Sequence, residues 1–110
     1  MIFGGNILKS IEDKLKNYHT INAKLRQVEY EINVNNKQDL IEKKRFYESG
    51  IFTIDNALSA LNEEERKLIQ YRYFDKLRWV DIESLMGMSR TPLINRHNSI
   101  LRKINEIINI

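Results

Sequence analysis

Residues 81–93 read DIESLMGMSRTPL and divide into two helical halves around a single glycine. In the first half, Ile82 and Leu85 have the spacing of one face of a short amphipathic helix, so both are predicted to be buried. Gly87 supplies the positive φ that commonly ends a helix, and Ser89 is a residue type that often begins one. Two helices joined by such a tight turn have the spacing of a helix-turn-helix motif.

The second helix of this motif is predicted to begin after Ser89 and to run to the C-terminus. Pro92 lies in its first turn, where a missing backbone N–H costs nothing. Its apolar face, which is predicted to pack against the core, consists of Leu93, Ile100, Leu101, Ile104 and Ile107. His97 lies on the same side and is therefore predicted to be partly buried.

The other faces of this helix carry side chains suited to contacting double-stranded DNA. In helix-turn-helix proteins the second helix presents its N-terminal residues to base edges in a major groove. Arg90 suits guanine or phosphate, Asn95 suits adenine, and the Thr91 methyl suits thymine. Cations further along the helix are assigned to the phosphate backbone. The complete predicted set of DNA-contacting residues is Ser89, Arg90, Thr91, Ile94, Asn95, Arg96, Arg102, Lys103 and Arg78.

The distribution of charge agrees with this assignment. The chain of 110 residues has a formal net charge of +3, which by itself is a weak indication of a polyanionic partner. Residues 89–105, however, contain four basic side chains and no acid, whereas three consecutive glutamates lie upstream at 63–65. The positive charge is therefore concentrated where a phosphate backbone would lie. The same helical corner also occurs in proteins that touch no DNA, so the motif alone leaves both interpretations open.

Short capped helices are predicted upstream of this motif. Thr53 is a residue type that caps a helix, and the apolar residues after it continue the helical pattern. Asn62 and Glu65 have the spacing of a capping box, in which each side chain bonds the backbone N–H of the other. The helix that they begin is predicted to run to about Phe74, before a turn and a short helix over residues 79–86.

Residues 6–33 are predicted to form one long helix with an apolar stripe. Members of the stripe recur at alternating intervals of three and four residues, which is the seam spacing of a coiled coil. The predicted seam, taken as a dimerisation surface, consists of Leu8, Ile11, Leu15, Tyr18, Asn22, Leu25 and Ile32. A stripe on so long a helix needs a partner, and the leading interpretation is a homodimer. The alternative is an intrachain hairpin with a second helix over residues 37–48.

Two groups of helix-ending residues divide the chain. Residues 33–36 are predicted to form a turn because asparagine tolerates left-handed backbone angles. Ser49-Gly50 is predicted to end the second helix, which makes residues 49–53 a junction. The predicted fold is therefore all-α, with a helical arm over residues 1–50 as the partner surface and a helix-turn-helix domain over residues 51–110.

A longer stretch, residues 61–104, resembles a known family of DNA-binding domains. It reads LNEEERKLIQYRYFDKLRWVDIESLMGMSRTPLINRHNSILRKI and is similar to region 4 of sigma-70-type RNA polymerase factors. It resembles more closely the short phage and prophage regulators of the ArpU/RinA type, which share that domain. The features that match are the opening at 61–66, the aromatic run at 71–74, Trp79, the GMSR sequence at 87–90 and Arg96.

The resemblance implies a small helix-turn-helix bundle, like a winged helix without its wing, that binds promoter-proximal DNA. It also implies control of late or lysis-linked phage genes, and it makes RNA polymerase a candidate partner for a sigma-like factor or an adaptor. Two positions depart from the sigma pattern. Thr91 stands where sigma factors often carry an acid, and Pro92 stands where a charged residue is usual, so no base preference is implied.

Enzymatic and membrane functions find no support in the sequence. His19 and His97 lie far apart in the chain, and neither belongs to a metal-ligand spacing such as HxxxH. The chain has no cysteine, which excludes disulfides and thiolate metal sites. No apolar run approaches the roughly 20 residues needed to cross a bilayer, and the N-terminus lacks the features of a secretion signal. We therefore expect a non-enzymatic protein of the bacterial cytoplasm or nucleoid, without cofactor, metal or membrane partner.

Overall fold

The computed structural model describes the backbone of residues 2–109 and the side chains of residues 7–109. Every regular element in this range is helical, which confirms the predicted all-α class. The α-helices are α1 (Ile2–Lys16), α2 (Tyr18–Asn35), α3 (Ile41–Ser59), α4 (Glu63–Ile69), α5 (Trp79–Met86) and α6 (Arg90–Ile108). None of these helices combines the length and the apolar composition needed to span a lipid bilayer.

The predicted single helix over residues 6–33 is interrupted at Asn17, a one-residue break between α1 and α2 at which the backbone angles stay in the right-handed helical region. On either side of this break, α1 packs against α6 while α2 packs against α3. Ile11 and Leu15 of α1 are each 1% exposed, and both belong to the main hydrophobic core together with the apolar face of α6. The first half of the predicted seam is therefore covered by this chain and is not available to a second copy.

The second half of the seam is used in a helical hairpin formed by α2 and α3. Val28 and Ile32 of α2 are each 8% exposed, and α2 makes its most extensive packing with α3. Four residues of the predicted seam are half-buried, namely Leu8 in α1 and Tyr18, Asn22 and Leu25 in α2. The intrachain alternative thus describes this half of the stripe. The hairpin turns at Asn36, whose φ of 55° is the left-handed conformation that asparagine tolerates.

The predicted stop at Ser49-Gly50 is wrong, because α3 continues through it without a break. Thr53 does not begin a helix but lies inside α3, where its Oγ1 donates a hydrogen bond of 2.8 Å to the Ser49 carbonyl. The predicted boundary at residue 50 therefore falls within one helix. Gly50 weakens a helix interior by about 0.5–1 kcal/mol relative to alanine, but the burial of Ile54 and Ala57 in the core offsets this loss.

The capping box that begins α4 is confirmed. The Glu65 N–H donates to Asn62 Oδ1 at 2.9 Å, and the Asn62 N–H donates to Glu65 Oε1 at 2.9 Å. Beyond α4 the helical backbone continues as a π-helical turn over Gln70–Phe74, close to the predicted end of this helix. The chain then turns at Lys76, which has a φ of 57°.

The two C-terminal helices lie where the sequence predicts them, joined by a turn of three residues. Gly87 caps α5 with a φ of 63°, and Ser89 is the extended residue before α6, although its side chain bonds no backbone N–H there. Ile82 is fully buried as predicted, whereas Leu85 is 58% exposed and its predicted burial is wrong. The core covers only the side of this eight-residue helix that carries Ile82, so Leu85 is left in solvent.

Candidate nucleic-acid interface

One face of α6 points to solvent along most of the helix. On the opposite face Leu93, Ile100 and Ile104 are at most 2% exposed, which confirms the predicted apolar face. The outward face consists of the exposed Thr91, Asn95, Ser99 and Arg102 and the half-buried Asn98. It presents hydroxyl and amide groups on successive turns of the helix, which are the donors and acceptors that read base edges.

Most of the predicted DNA-contacting residues are accessible. Those exposed to solvent are Arg78, Ser89, Arg90, Thr91, Asn95, Arg96 and Arg102, whereas Ile94 and Lys103 are half-buried. The outward face brings together Thr91, Asn95 and Arg102, while Arg78 lies apart from them at the residue before α5. Asn98 and Ser99 are absent from the predicted set. Both could be predicted from the position of Asn95, because residues three and four positions apart on a helix share a face.

The first residue of α6 is tied to α5. Arg90 Nε donates a hydrogen bond of 2.7 Å to Glu83 Oε2, and this contact leaves the terminal guanidinium nitrogens for other acceptors. Arg78 makes a similar local contact, in which its Nε donates to Asp81 Oδ2 at 3.1 Å. Glu83 is absent from the predicted set, because it comes beside Arg90 only through the fold of the turn.

Two further cations of α6 contact the glutamates that begin α4. Arg96 pairs with Glu64, and Lys103 Nζ donates to Glu65 Oε1 at 3.1 Å. The backbone N–H of Asn62, with a smaller effect from Lys103, holds the pKa of Glu65 below its ordinary value, so this carboxylate is charged at neutral pH. Exposed pairs of this kind contribute up to about 1 kcal/mol each, and here they join α4 to α6.

Arg102 differs from these neighbours. Within residues 7–109, the other three cations of the basic segment each contact a carboxylate, and Arg102 contacts none. It is also exposed on the outward face of α6, in line with Asn95 and Ser99. Arg102 is therefore the cation of this helix that is best placed to neutralise a phosphate without breaking an ion pair.

A groove of about 610 Å³ runs beside the outward face, between α6 and the start of α4. Glu64 and Glu65 line one side of it, and Asn95 and Ser99 line the other. Carboxylates repel phosphates at short range. Asn95 and Ser99 thus border an acidic groove, whereas Thr91 and Arg102 do not line it.

A buried polar cluster packs against the inner face of α6. The Tyr73 hydroxyl lies 2.5 Å from His97 Nε2 and 3.0 Å from Glu12 Oε2, so it connects α6 to α1. The Trp79 ring meets His97 edge-on with 5.1 Å between centroids, and the Arg72 guanidinium lies 4.5 Å above the Trp79 ring. In residues 7–109 no buried side-chain polar atom lacks a hydrogen-bond partner. The cluster therefore fixes the position of α6 with satisfied polar contacts.

Protonation of His97 should destabilise the fold. Burial is the largest influence on this histidine and lowers its pKa below 6.5, against a smaller opposing effect of the Asn98 side chain. As the pH falls through about 6.5, the unfolded chain binds a proton at this position before the folded chain does. The free energy of unfolding is therefore expected to decrease from pH 7 toward pH 5, which urea titrations at several pH values measure.

The matched variants for this measurement are His97→Gln and His19→Gln. His97→Gln should flatten the pH dependence between pH 7 and 5 whatever its effect on stability at pH 7, because it removes the buried imidazole. His19 is exposed, so its replacement should leave the dependence in place. An unchanged profile in His97→Gln would show that another group controls stability in this pH range.

Other titratable groups serve as contacts between helices. Tyr18 donates a hydrogen bond of 2.6 Å to Asp55 Oδ1, which raises the pKa of the tyrosine to about 12. Burial, with the Glu12 charge, raises the pKa of Tyr73 as well. Both hydroxyls therefore stay protonated at neutral pH and can donate. Among residues 7–109, no three His, Asp or Glu side chains gather in an arrangement that could hold a metal ion.

Comparison with known proteins gives one informative similarity. No family model matches the chain, and no solved structure matches it. The chain is similar to the bacteriocin UviA of Clostridium perfringens, with 31% identity over 107 residues. The match spans 93% of this chain and 56% of UviA, so the chain corresponds to about half the length of that relative.

Proposed function

We propose that this protein is a sequence-specific DNA-binding transcriptional regulator that places α6 in a major groove. The observation that carries the proposal is the outward face of α6, where Thr91, Asn95 and Ser99 are exposed in line with Arg102. The opposite face of the same helix is buried in the core. The helix is therefore held rigidly by one side and presents base-reading groups on the other.

The chemistry of each side chain defines its role in this complex. The Asn95 amide pairs with adenine through one donor and one acceptor, and the Thr91 methyl contacts thymine. The first N–H groups of α6 have no partner within the helix and bind a phosphate, as helix N-termini do. Arg102 neutralises a second phosphate further along the groove. α5 lies across the sugar-phosphate backbone, as the first helix of a helix-turn-helix does.

Arg90 has a more specific role in the proposal. Its Nε is held by Glu83, so the guanidinium is oriented before DNA arrives. The two terminal nitrogens then donate to guanine O6 and N7 or to a phosphate. Preorganisation of this kind reduces the side-chain entropy lost on binding.

The proposed biological setting is control of phage or prophage genes of the late or lysis-linked class. Its support is the likeness of residues 61–104 to region 4 of sigma-70-type factors and to the ArpU/RinA-type regulators. The relative UviA is named a bacteriocin, and that name adds no DNA-binding role. The proposed role in transcription therefore depends on the residues of α5 and α6.

Salt dependence tests the proposed phosphate contacts. Binding to a DNA duplex, measured by fluorescence anisotropy over a range of salt concentrations, should weaken steeply as salt rises, because phosphate contacts release counterions. Arg102→Ala should reduce the slope of log K against log salt by about one unit. Lys103→Ala should reduce it less, since Lys103 already contacts Glu65.

The matched control is Arg26→Ala, an exposed cation of α2 outside the interface. It should leave the slope unchanged. Equal slopes for the wild type, Arg102→Ala and Arg26→Ala would remove Arg102 from the interface. A wild-type affinity that does not depend on salt would contradict DNA binding through this surface altogether.

A second candidate function is a sigma-like factor or adaptor that acts on RNA polymerase. The observation that favours it is the exposed apolar surface of α5, where Val80 is 51% exposed and Leu85 58% exposed. Exposed apolar side chains beside a DNA-reading helix suit a protein partner. Co-purification with core RNA polymerase that is lost in Leu85→Asp, with DNA binding by the isolated protein absent, would favour this candidate.

A further inference from the structure

A groove of about 650 Å³ lies away from the proposed DNA interface, where the end of α1 and the start of α2 face the middle of α3. Its apolar walls are formed by Ile21, Ile51 and Ile54. Gly50 of α3 also lines the groove. Phe46, one helical turn earlier in α3, lines it as well. The described part of the chain leaves this apolar space open to solvent.

Two features of α3 at this groove are unfavourable for an isolated chain. Phe46 is 74% exposed, although it is one of the largest apolar side chains. Gly50 weakens the helix interior, and a Cβ built on it would meet nothing within 4 Å, so no close packing within this chain requires a glycine there. An exposed aromatic ring and a vacant space therefore lie side by side on one face of one helix.

We propose that this face binds a second copy of the chain, with two α3 helices antiparallel across a two-fold axis. In such a pair, residues equally far before and after the axis face each other. If the two-fold axis crosses the pair of helices level with residue 48, Phe46 of each copy lies opposite Gly50 of the other. Each ring enters the groove of the other copy, and the missing Cβ provides the space for it.

The charges along the same face agree with this arrangement. Glu42 lies one turn before Phe46. Its side chain is 84% exposed and accepts a hydrogen bond of 2.7 Å from Arg45 Nη1 of the same helix. In the antiparallel pair residue 42 lies level with Ile54 of the other copy, and the groove that Ile54 lines is also lined by Lys14 and Asp13. The glutamate of one copy thus approaches the lysine of the other, on both sides of the axis.

A second copy fits this face better than an unrelated ligand does. The ring and the space that would receive it belong to the same helix face, which is the condition for a self-complementary, closed dimer. A small molecule or an unrelated peptide in the groove would cover Phe46 as well, but it would not require the ring and the space at Gly50 to lie on the same helix face. This dimer also differs from one through the predicted seam, of which Ile11, Leu15 and Ile32 are buried within the chain.

The test is the oligomeric state of the full chain, measured by sedimentation equilibrium over a range of protein concentrations. The wild type should associate reversibly to a dimer. Phe46→Ala should weaken the association by at least about tenfold, as truncation of a central aromatic anchor does. Gly50→Ala should raise the melting temperature of the monomer through better helix propensity, yet weaken the dimer by filling the space.

Two controls make the test specific. Phe52→Ala removes another exposed ring of α3, 67% exposed but on a different side of the helix, and should leave the dimer unchanged. Glu42→Lys should weaken the dimer by placing like charges together, and Lys14→Glu in the same chain should restore it. A wild type that stays monomeric, or a dimer unaffected by Phe46→Ala and Gly50→Ala, would overturn the proposal.

Discussion

Replacing Ile11 with alanine should lower the free energy of unfolding by about 2–5 kcal/mol, the range for truncating a fully buried isoleucine. Ile11 is 1% exposed and lies in one hydrophobic core with Leu93 and Leu101, although it is far from them in sequence. A cavity at this position removes contacts between α1 and α6 that the surrounding helices can replace only in part. Urea denaturation followed by circular dichroism measures the effect.

The control for this prediction is another isoleucine of the same helix. Ile7 is 43% exposed, so Ile7→Ala should change the free energy of unfolding by less than about 0.5–1 kcal/mol. Similar small effects from both variants would mean that α1 is a surface arm, as the seam pattern of the sequence suggests. A loss of stability that depends strongly on protein concentration would point instead to a dimer seam.

Replacing Asn95 with alanine should reduce affinity for the preferred DNA site by about 1–3 kcal/mol, the value of one bidentate base contact. Asn95 lies at the centre of the outward face of α6, and its exposed amide has no contact in the core to maintain. The variant should therefore fold like the wild type. Affinity for a duplex of unrelated sequence should change little, because phosphate contacts remain.

The matched control is Asn33→Ala, an exposed asparagine of α2. It should leave both specific and nonspecific affinity unchanged. If Asn95→Ala weakens binding to all duplexes equally, Asn95 contacts the backbone and the base-reading assignment is wrong. If it weakens neither, the outward face of α6 is not the DNA-reading surface.

The C-terminal helices could be predicted from sequence because their signals are local. The capping box of Asn62 and Glu65 depends on side chains three residues apart, and it forms as predicted. Gly87 ends α5 through its own backbone freedom. The buried face of α6 follows from the spacing of Leu93, Ile100 and Ile104, which is regular enough to fix the orientation of the helix.

The fold of the N-terminal half is harder to predict from the sequence, because tertiary packing overrides its local signals. Ser49-Gly50 is a reasonable helix stop, yet α3 continues because Ile54 and Ala57 beyond it are needed in the core. The alternating stripe of residues 6–33 indicates a buried face but not its partner. The two halves of that stripe, on either side of a one-residue break at Asn17 that has no strong sequence signal, have different partners in the same chain.

The charge pattern of the sequence predicts the basic surface only in part, for the same reason. Residues 89–105 contain no acid, and the sequence therefore suggests a uniformly basic surface. The fold brings Glu64 and Glu65 from α4, and Glu83 from α5, against three of the four cations. Such pairs join residues on different helices, so the pattern of a single helix does not predict them. Their effect is to concentrate the available positive charge at Arg102.

The most direct test of the central claim is capture of genomic DNA fragments by the purified full chain at near-physiological salt, followed by sequencing of the bound fragments. Sequence-specific binding through α6 predicts a discrete enriched motif, a steep salt dependence on the best fragment, and loss of the enrichment in Asn95→Ala. Absence of any enriched motif in the wild type, with only weak binding to all fragments, would contradict specific DNA recognition by this protein.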